Sequence, residues 1–391
     1  MKGKISLGIL FGGRSCEHEV SVTSARSILQ AIDRDKYDVT LIGINKSGHW
    51  LLTDEFDAIV EDGSVKNTVQ PSSGFLGKNN QSNDLPYAVS LGLHDQGNLA
   101  KVSDSTEPLS TTGQSSQQPP PLDVIFPVLH GTFGEDGTLQ GVMEIAEIPY
   151  VGCGVLGSSL SMDKSVVKKV FEAEGIPQAP YQVVIGYDWQ CQSEPIMHDI
   201  EATLGYPLFV KPANMGSSVG INKAHNSRQL RSAIDHALEF DTKAVIEKSM
   251  ENCREIECSV LGNHNPESSV LGEIIPGDEF YSYETKYLDE KSQLVIPAEL
   301  SPETSNLVRE LSIRAFKAVD GAGLSRVDFF VEKENEAVYL NEINTMPGFT
   351  PISMYPQLWA ASGLNYSDLI DRLIQLALER HQSRNSLRRT F

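Results

Sequence analysis

The sequence predicts an α/β protein that opens on a doubly wound sheet and ends on an antiparallel hairpin. Two stretches carry this reading. Lys4–Leu10 is a buried-strand run, followed by the turn Gly12-Gly13, helically spaced apolar residues (Val20, Ala25, Ile28, Leu29, Ile32) and a second apolar run at Val39–Ile44. Strand, glycine turn, helix and strand in that order form a βαβ unit. Near the other end, Ser325–Val331 and Ala337–Asn344 flank the polar run Glu332–Glu336, which is the pattern of a hairpin. The dinucleotide fingerprint G-x-G-x-x-G does not follow the first strand, so a nicotinamide site is not indicated.

Composition narrows the function. A chain of 391 residues with 40% hydrophobic residues supports two or three domains. A net charge of −20 argues against nucleic acid or an anionic membrane as partner. The cysteines at 16, 153, 191, 253 and 258 contain no C-x-x-C pair and fit reduced thiols in a cytoplasmic protein. The N-terminus is too short and interrupted for a signal peptide, and no apolar run approaches the ~20 residues of a membrane span, so a soluble protein is expected.

The elements follow in order. Gly63–Pro121 is rich in Ser, Gln, Asn, Thr and Gly, and reads as a partly disordered surface insertion with a short hairpin near Ala88–Leu93. Leu122–Leu129 is a strand, His130–Gly137 a polar glycine-rich loop, Leu139–Ala146 a helix and Tyr150–Gly152 a short strand. Ser161 is placed to cap a helix over Met162–Glu174, which puts Lys164 in its first turn. A cation there is unfavourable against the helix dipole unless it faces an anion, although an ordinary solvated lysine fits the sequence too. Pro207–Lys211 and Val219–Asn222 are strands around a Gly/Ser loop, which is either a plain hairpin or a cradle for phosphate. Arg228–Glu239 is a helix, Lys243–Glu247 and Glu255–Leu261 are strands, and Ile275–Pro297 is a long aromatic segment of the kind that forms lids. Pro302–Ala318 and Tyr366–Arg380 are helices, with a basic tail at His381–Phe391.

The closing hairpin holds the densest chemistry. Side chains alternate along a strand, so Arg326, Asp328 and Phe330 share one face, as do Leu340, Glu342 and Asn344. A turn centred near Asn335 sets Asp328 across from Glu342. Opposed carboxylates repel unless a cation lies between them, and two acids plus the Asn344 amide favour Mg²⁺ or Mn²⁺ over Zn²⁺. A solvated acidic hairpin is the competing reading of these residues taken alone.

Six blocks occur in one order: Gly12–Ser21, His130–Gly137, Ser161–Lys164, Lys211–Gly220, Glu284–Leu288, and Arg326–Asp328 with Asn341–Gly348. Together they resemble the D-alanine–D-alanine ligases of the ATP-grasp superfamily over all but the insertion and the tail. The resemblance implies an ATP-grasp fold, α+β in its ATP-binding part, behind the N-terminal βαβ domain. It implies domains at 1–152 (with the insertion at about 63–121), 153–246 and 247–391, the last two clasping ATP between antiparallel sheets. It also implies ligation of two D-alanines through an acyl phosphate, for peptidoglycan precursors, in a cytoplasmic homodimer.

The resemblance also implies roles for individual residues. Lys164, Lys211 and the loop Met215, Gly216, Ser217 and Ser218 meet the phosphates. Glu247 and Lys248 lie by adenine, and Glu255 by the ribose. Lys286 and Asn341 also belong to the nucleotide site. Asp328, Glu342 and Asn344 hold two Mg²⁺ (or Mn²⁺) ions, and a monovalent cation such as K⁺ is compatible with the pattern. Glu17 takes the ammonium of the first D-alanine, and Ser217 and Tyr287 hydrogen-bond towards it. Arg326 and the Gly348 N–H stabilise the oxyanion. Ser353 and Met354 meet the second carboxylate. His130 either touches substrate or orders its loop. Lys286-Tyr287 favours the dipeptide over D-alanyl-D-lactate. The alternatives are a D-alanine–D-lactate or D-alanine–D-serine ligase, another ATP-grasp carboxylate–amine ligase, or a catalytically silent nucleotide-binding regulator.

Overall fold

A computed structural model describes residues 3–53, 55–66, 89–90, 100–101, 121–276 and 293–388. The first sheet comes from β1 (Ile5–Gly12), β2 (Tyr37–Ile44) and β3 (Trp50–Thr53), with α1 (His18–Ala31) crossing between β1 and β2. Next come α2 (Phe56–Ile59), β4 (Val60–Glu61), β5 (Ser64–Val65), β6 (Val89–Ser90), β7 (Ala100–Lys101), β8 (Val124–Pro127) and α3 (Thr138–Ile145). The sheet order is β3-β2-β1-β8, with β1 parallel to both β2 and β8 and the edge strand β3 antiparallel, so the expected βαβ unit is present. At the start of the predicted insertion β5 pairs back with β4, and within it Val89–Ser90 pairs with Ala100–Lys101. Tyr150–Gly152 is not a strand. Tyr150 makes a single bridge to Ile125, and Gly152, at φ +102°, turns the chain away from the ladder.

The second sheet follows α4 (Val155–Met162) and α5 (Lys164–Ala173). It comprises β9 (Tyr181–Ile185), β10 (Leu208–Pro212), β11 (Asn222–Ala224) and β12 (Lys243–Lys248), in the antiparallel order β11-β10-β12-β9. Helices α6 (Gly186–Leu204, broken at Gln192) and α7 (Ser227–Ala237) cover one face. Two expectations fail here. Ser161 lies in the last turn of α4, and the cap of α5 is Asp163, whose carboxylate accepts from the N–H of Ser165 and Val166 at 3.0 and 3.2 Å. A carboxylate at an N-cap also complements the helix dipole. The returning strand starts at Asn222, not Val219, because Ser217 and Ser218 adopt left-handed φ values of +49° and +60° and fold Gly216–Ile221 into turns.

The third sheet is antiparallel throughout, in the order β15-β14-β13-β16-β17. Its strands are β13 (Cys253–Gly262), β14 (Glu267–Ile275), β15 (Gln293–Val295), β16 (Gly323–Glu332) and β17 (Val338–Asn344). Helix α8 (Pro302–Ala318) packs on one face through Val308, Leu311 and Phe316, with Phe171 of α5 joining the same core. The chain ends with α9 (Met354–Ala361) and α10 (Tyr366–Asn385). Helix α10 extends through His381–Asn385, where a tail was expected, and Arg384 near its end pairs with Glu144. Its apolar stripe Leu369, Ile370, Leu373 and Ile374 enters the core of the first sheet beside Leu7, Ile9 and Phe126. The last helix thereby ties the end of the chain to its beginning. Among the described residues no helix is long and apolar enough to cross a membrane.

Candidate active site

A large cleft runs between the three sheets, lined from the start of α1 and the 130–135 loop through β10, β12, β13, β16 and β17 to the start of α9. Its floor is the closing hairpin. Asp328 pairs directly with Glu342, as the sequence predicts, and Arg326 pairs with Asn344. Leu340 departs from the expected face: a bulge at Asn341 shifts the register, so Phe329 faces Leu340 and both side chains are buried in the core. One extra residue in a strand reverses the alternation beyond it. Glu342 and Asn344 thereby face the cleft while Leu340 does not. The Asn341 Oδ1 is buried without a hydrogen-bond partner among the described residues.

On the other side of Asp328 lies Glu257 of β13, so three acids form a row across three strands. Arg326 organises them. Its guanidinium donates to both Asp328 oxygens at 2.8 and 2.7 Å and its Nε lies 2.8 Å from Glu257 Oε2. Burial opposes its charge, but Asp328 and Glu257 outweigh burial and hold its pKa well above the usual arginine value. The Asn344 Nδ2 donates to Asp328 at 3.0 Å and, more weakly, to Glu342 at 3.4 Å. A half-turn of that amide would present its oxygen beside the two carboxylates. The donor set of two opposed carboxylates and one amide fits a hard divalent cation that completes its shell with water and phosphate. Among the described residues no group of three or more His, Cys, Asp or Glu side chains is placed to hold a metal ion.

Lysines line the adjoining wall. Lys164, at the start of α5, donates to the Met215 carbonyl at 2.7 Å and so holds the Gly/Ser loop. Burial pulls its pKa down. Asp163 also anchors the loop, through Asn214 Nδ2 at 3.3 Å, and separately forms an ion pair with Lys243 at the start of β12. Lys211 of β10 lies 2.8 Å from Glu247 Oε2, and Lys168 of α5 lies 3.1 Å from Glu247 Oε1. Burial works against the Glu247 charge, yet Lys168 and Lys211 outweigh it and hold its pKa at about 2. The expected adenine contact at Glu247 is thus a carboxylate engaged by two ammonium groups. Lys248 turns its ammonium to the carbonyls of Tyr206 and Gly205 at 2.8 and 3.4 Å. Glu255 lines the cleft two residues before Glu257.

At the far end, Glu17 is the N-cap residue of α1 and is 7% exposed. Glycines let two loops approach it: a Cβ added at Gly131 or Gly216 would lie 2.9 or 3.2 Å from Glu17 Oε2. Ser217 and Ser218 line the same cleft. His130 is buried, with Nδ1 2.8 Å from the Met346 carbonyl, while its Nε2 has no hydrogen-bond partner among the described residues. Glu135 accepts from the N–H groups of Gly131 and Met346 at 2.8 and 3.2 Å. Burial, then Glu17, pushes its pKa up to about 8. Gly348 and Ser353 border this end, and Ser353 Oγ accepts from Thr350 N–H at 3.1 Å. The Met354 side chain packs against Ile274 and Leu358, which leaves the backbone start of α9 as the polar element there. Tyr287 and Lys286 lie outside the described residues.

Sequence reasoning missed Glu257, Glu135 and Lys168. Each had a signal: Glu257 alternates with Glu255, Glu135 sits inside the His130–Gly137 block, and Lys168 follows Lys164 by one helical turn.

Two antiparallel sheets facing a cleft of lysines and paired carboxylates define the ATP-grasp class of enzymes. Family models narrow that class: the D-ala D-ala ligase N-terminus matches residues 6–153 and the D-ala D-ala ligase C-terminus matches residues 170–375. The chain belongs to the D-alanine–D-alanine ligase family. It is 48% identical to the D-alanine–D-alanine ligase of Ruminiclostridium cellulolyticum, over 97% of this chain and 96% of that protein. The structure of the D-alanine–D-alanine ligase from Coxiella burnetii superposes with a TM-score of 0.79 at 34% identity, covering 98% of this chain and 96% of that one. The VanG D-Ala:D-Ser ligase from Enterococcus faecalis gives a TM-score of 0.77 at 33% identity, covering 96% of this chain and 100% of that one. Family membership implies ATP and D-alanine as substrates and the general use of divalent metal.

Proposed function

We propose that this chain joins two D-alanines into D-alanyl-D-alanine while converting ATP to ADP and phosphate, in the synthesis of peptidoglycan precursors. The supporting observation is one of placement. Opposed Asp328 and Glu342 lie on the floor of a cleft whose walls carry Lys164, Lys211 and, at the far end, Glu17.

A carboxylate is a poor electrophile, so the first D-alanine must be activated. Its carboxylate oxygen bonds to the γ-phosphorus of ATP as the bridging bond to ADP breaks, leaving an acyl phosphate. Positioning and electrostatics carry most of such a transfer. Lys164, Lys211 and the loop Met215–Ser218 hold the phosphates. Glu247, Lys248, Lys286 and Asn341 surround the rest of the nucleotide, with Glu255 at the ribose. Asp328, Glu342 and Asn344 would hold two Mg²⁺ or Mn²⁺ ions, which would supply neutralisation of the phosphoryl charge. Glu17 takes the ammonium of the first D-alanine, with Ser217 and Tyr287 hydrogen-bonding towards it. The amine of the second D-alanine then attacks the acyl carbon. Arg326 and the Gly348 N–H stabilise the oxyanion until phosphate leaves, and Ser353 with the start of α9 takes the second carboxylate. His130 Nε2 is available to substrate, while its Nδ1 orders the Met346 turn. A cytoplasmic homodimer, with K⁺ as an optional activator, completes the reading.

A coupled ADP assay against each D- and L-amino acid in turn tests it. D-alanine-dependent ADP release is expected. Equal turnover of L-alanine, or ATP binding without turnover, would overturn it. The similarity to VanG favours one second reading, ligation of D-serine as second substrate. A higher kcat/KM for D-serine than for D-alanine at that position would establish it.

A further inference from the structure

Lys168 is a buried lysine, 3% exposed, with no part in the scheme above. It sits one helical turn after Lys164 on α5, and its ammonium lies 3.1 Å from Glu247 Oε1 and 5.2 Å from the centre of the Tyr181 ring. The other Glu247 oxygen holds Lys211 at 2.8 Å. One carboxylate thus lies between two ammonium groups, 4% exposed in its side chain, at the wall of the nucleotide cleft. With Lys211 alone, Glu247 would form a neutral pair that attracts polyphosphate weakly. With Lys168 added, the trio carries one net positive charge, and Lys211 is the member with the more exposed side chain, at 12% against 3% for Lys168.

We infer that Lys168 is a positioning residue of the nucleotide site: it balances Glu247 from behind and leaves the charge of Lys211 available to the phosphates. The inference rests on the reading of this cleft as the ATP site. Glu247, held at about 2 by its two lysines, is ionised at neutral pH, so its charge demands this balance. Removing Lys168 should therefore act through charge on the ligand and not through the shape of the adenine pocket.

Calorimetric binding of ATP, ADP and AMP to the full-length protein, its K168M and K168Q variants, and K168R tests this. K168M should weaken ATP by about tenfold, the size expected for one charge acting over roughly 10 Å in a partly screened site. ADP should lose less and AMP least, and K168R should recover ATP binding. If K168M does not fold, K168Q is read by the same gradation. An equal loss for all three nucleotides, or no loss, overturns the inference, because a purely structural lysine would not sort ligands by phosphate charge. D-alanine-dependent phosphate release by the unsubstituted protein is scored separately. Graded binding without that release would retain the role of Lys168 and reject the ligase reading. Release with ungraded binding would do the reverse.

Discussion

Asp328 and Glu342 face each other across the ladder between β16 and β17, with Asn344 Nδ2 donating to both carboxylates. Like charges directly opposed in a sheet destabilise it by up to about 1 kcal/mol. The fold keeps the pair, and the proposed metal role gives a reason. E342Q should therefore have two opposite effects. Metal-free protein should gain up to about 1 kcal/mol of stability from the lost repulsion. The Mg²⁺ concentration for half-maximal activity should rise by roughly tenfold or more, because one of two anionic ligands is gone. Thermal unfolding with and without Mg²⁺, beside an activity titration, checks both. A drop in metal-free stability with unchanged Mg²⁺ dependence would contradict the assignment.

Arg326 holds Asp328 by a two-pronged contact and reaches Glu257 as well. A lysine ammonium cannot reproduce that fork. R326K and R326M should both lose about 10²–10³-fold in kcat, the usual cost of removing one oxyanion donor, with KM for ATP changing far less. R326M should also lower stability by about 3–5 kcal/mol, since two buried acids lose their cation. Steady-state kinetics and chemical denaturation separate these effects. Full activity in R326K would reduce Arg326 to a plain counter-ion.

The hairpin pairing was legible because side chains alternate strictly and the polar run at Glu332–Glu336 fixes the turn. The bulge at Asn341 was not, since nothing in a period-two pattern marks an extra residue, and Leu340 was assigned the wrong face for that reason. The helix start was ambiguous because Ser161 and Asp163 are both good caps two residues apart. Lys243, far along the chain, pairs with Asp163 and adds a long-range contact there. The trio Lys168, Glu247 and Lys211 spans 79 positions from first to second member, so it appears only when α5 is docked on the second sheet. Similarly, no local signal tells that α10 returns to the first sheet. Its stripe announces an amphipathic helix but not the surface that it covers.

Glu135 and His130 hold Met346 through its two flanking peptide groups: His130 Nδ1 meets the Met346 carbonyl, and Glu135 accepts the Met346 N–H. The Glu135 carboxyl, raised from 4.5 to about 8, keeps its proton in the folded chain where the unfolded chain loses it. Its contribution to stability is complete below about 4.5 and fades as pH rises towards 8, at a slope of at most about 1.4 kcal/mol per pH unit. E135Q, neutral at every pH, should flatten that fall. Thermal unfolding of both proteins from pH 4 to pH 9 gives the comparison. Parallel pH profiles would show that Glu135 is ionised in the fold. In activity, E135Q should lower kcat more than it raises KM for ATP, because the turn that it holds leads to Gly348.

Gly131 and Gly216 bring two loops against Glu17, and the two sites differ in how they would receive a methyl group. At Gly131 the added Cβ lies 2.9 Å from Glu17 Oε2 on a backbone with φ +71°, so G131A meets both a clash and left-handed strain. At Gly216 the contact is 3.2 Å with no such backbone cost, and a shift of a few tenths of an ångström relieves it. G131A should therefore raise KM for the first D-alanine by about tenfold or more, and G216A by only a few-fold. ATP binding should respond in the opposite order, because Gly216 belongs to the loop that Lys164 holds through Met215. D-alanine KM and ATP affinity measured on both variants decide the matter. A larger D-alanine effect for G216A would mean that the Gly/Ser loop, and not the 130–137 loop, sets the position of Glu17.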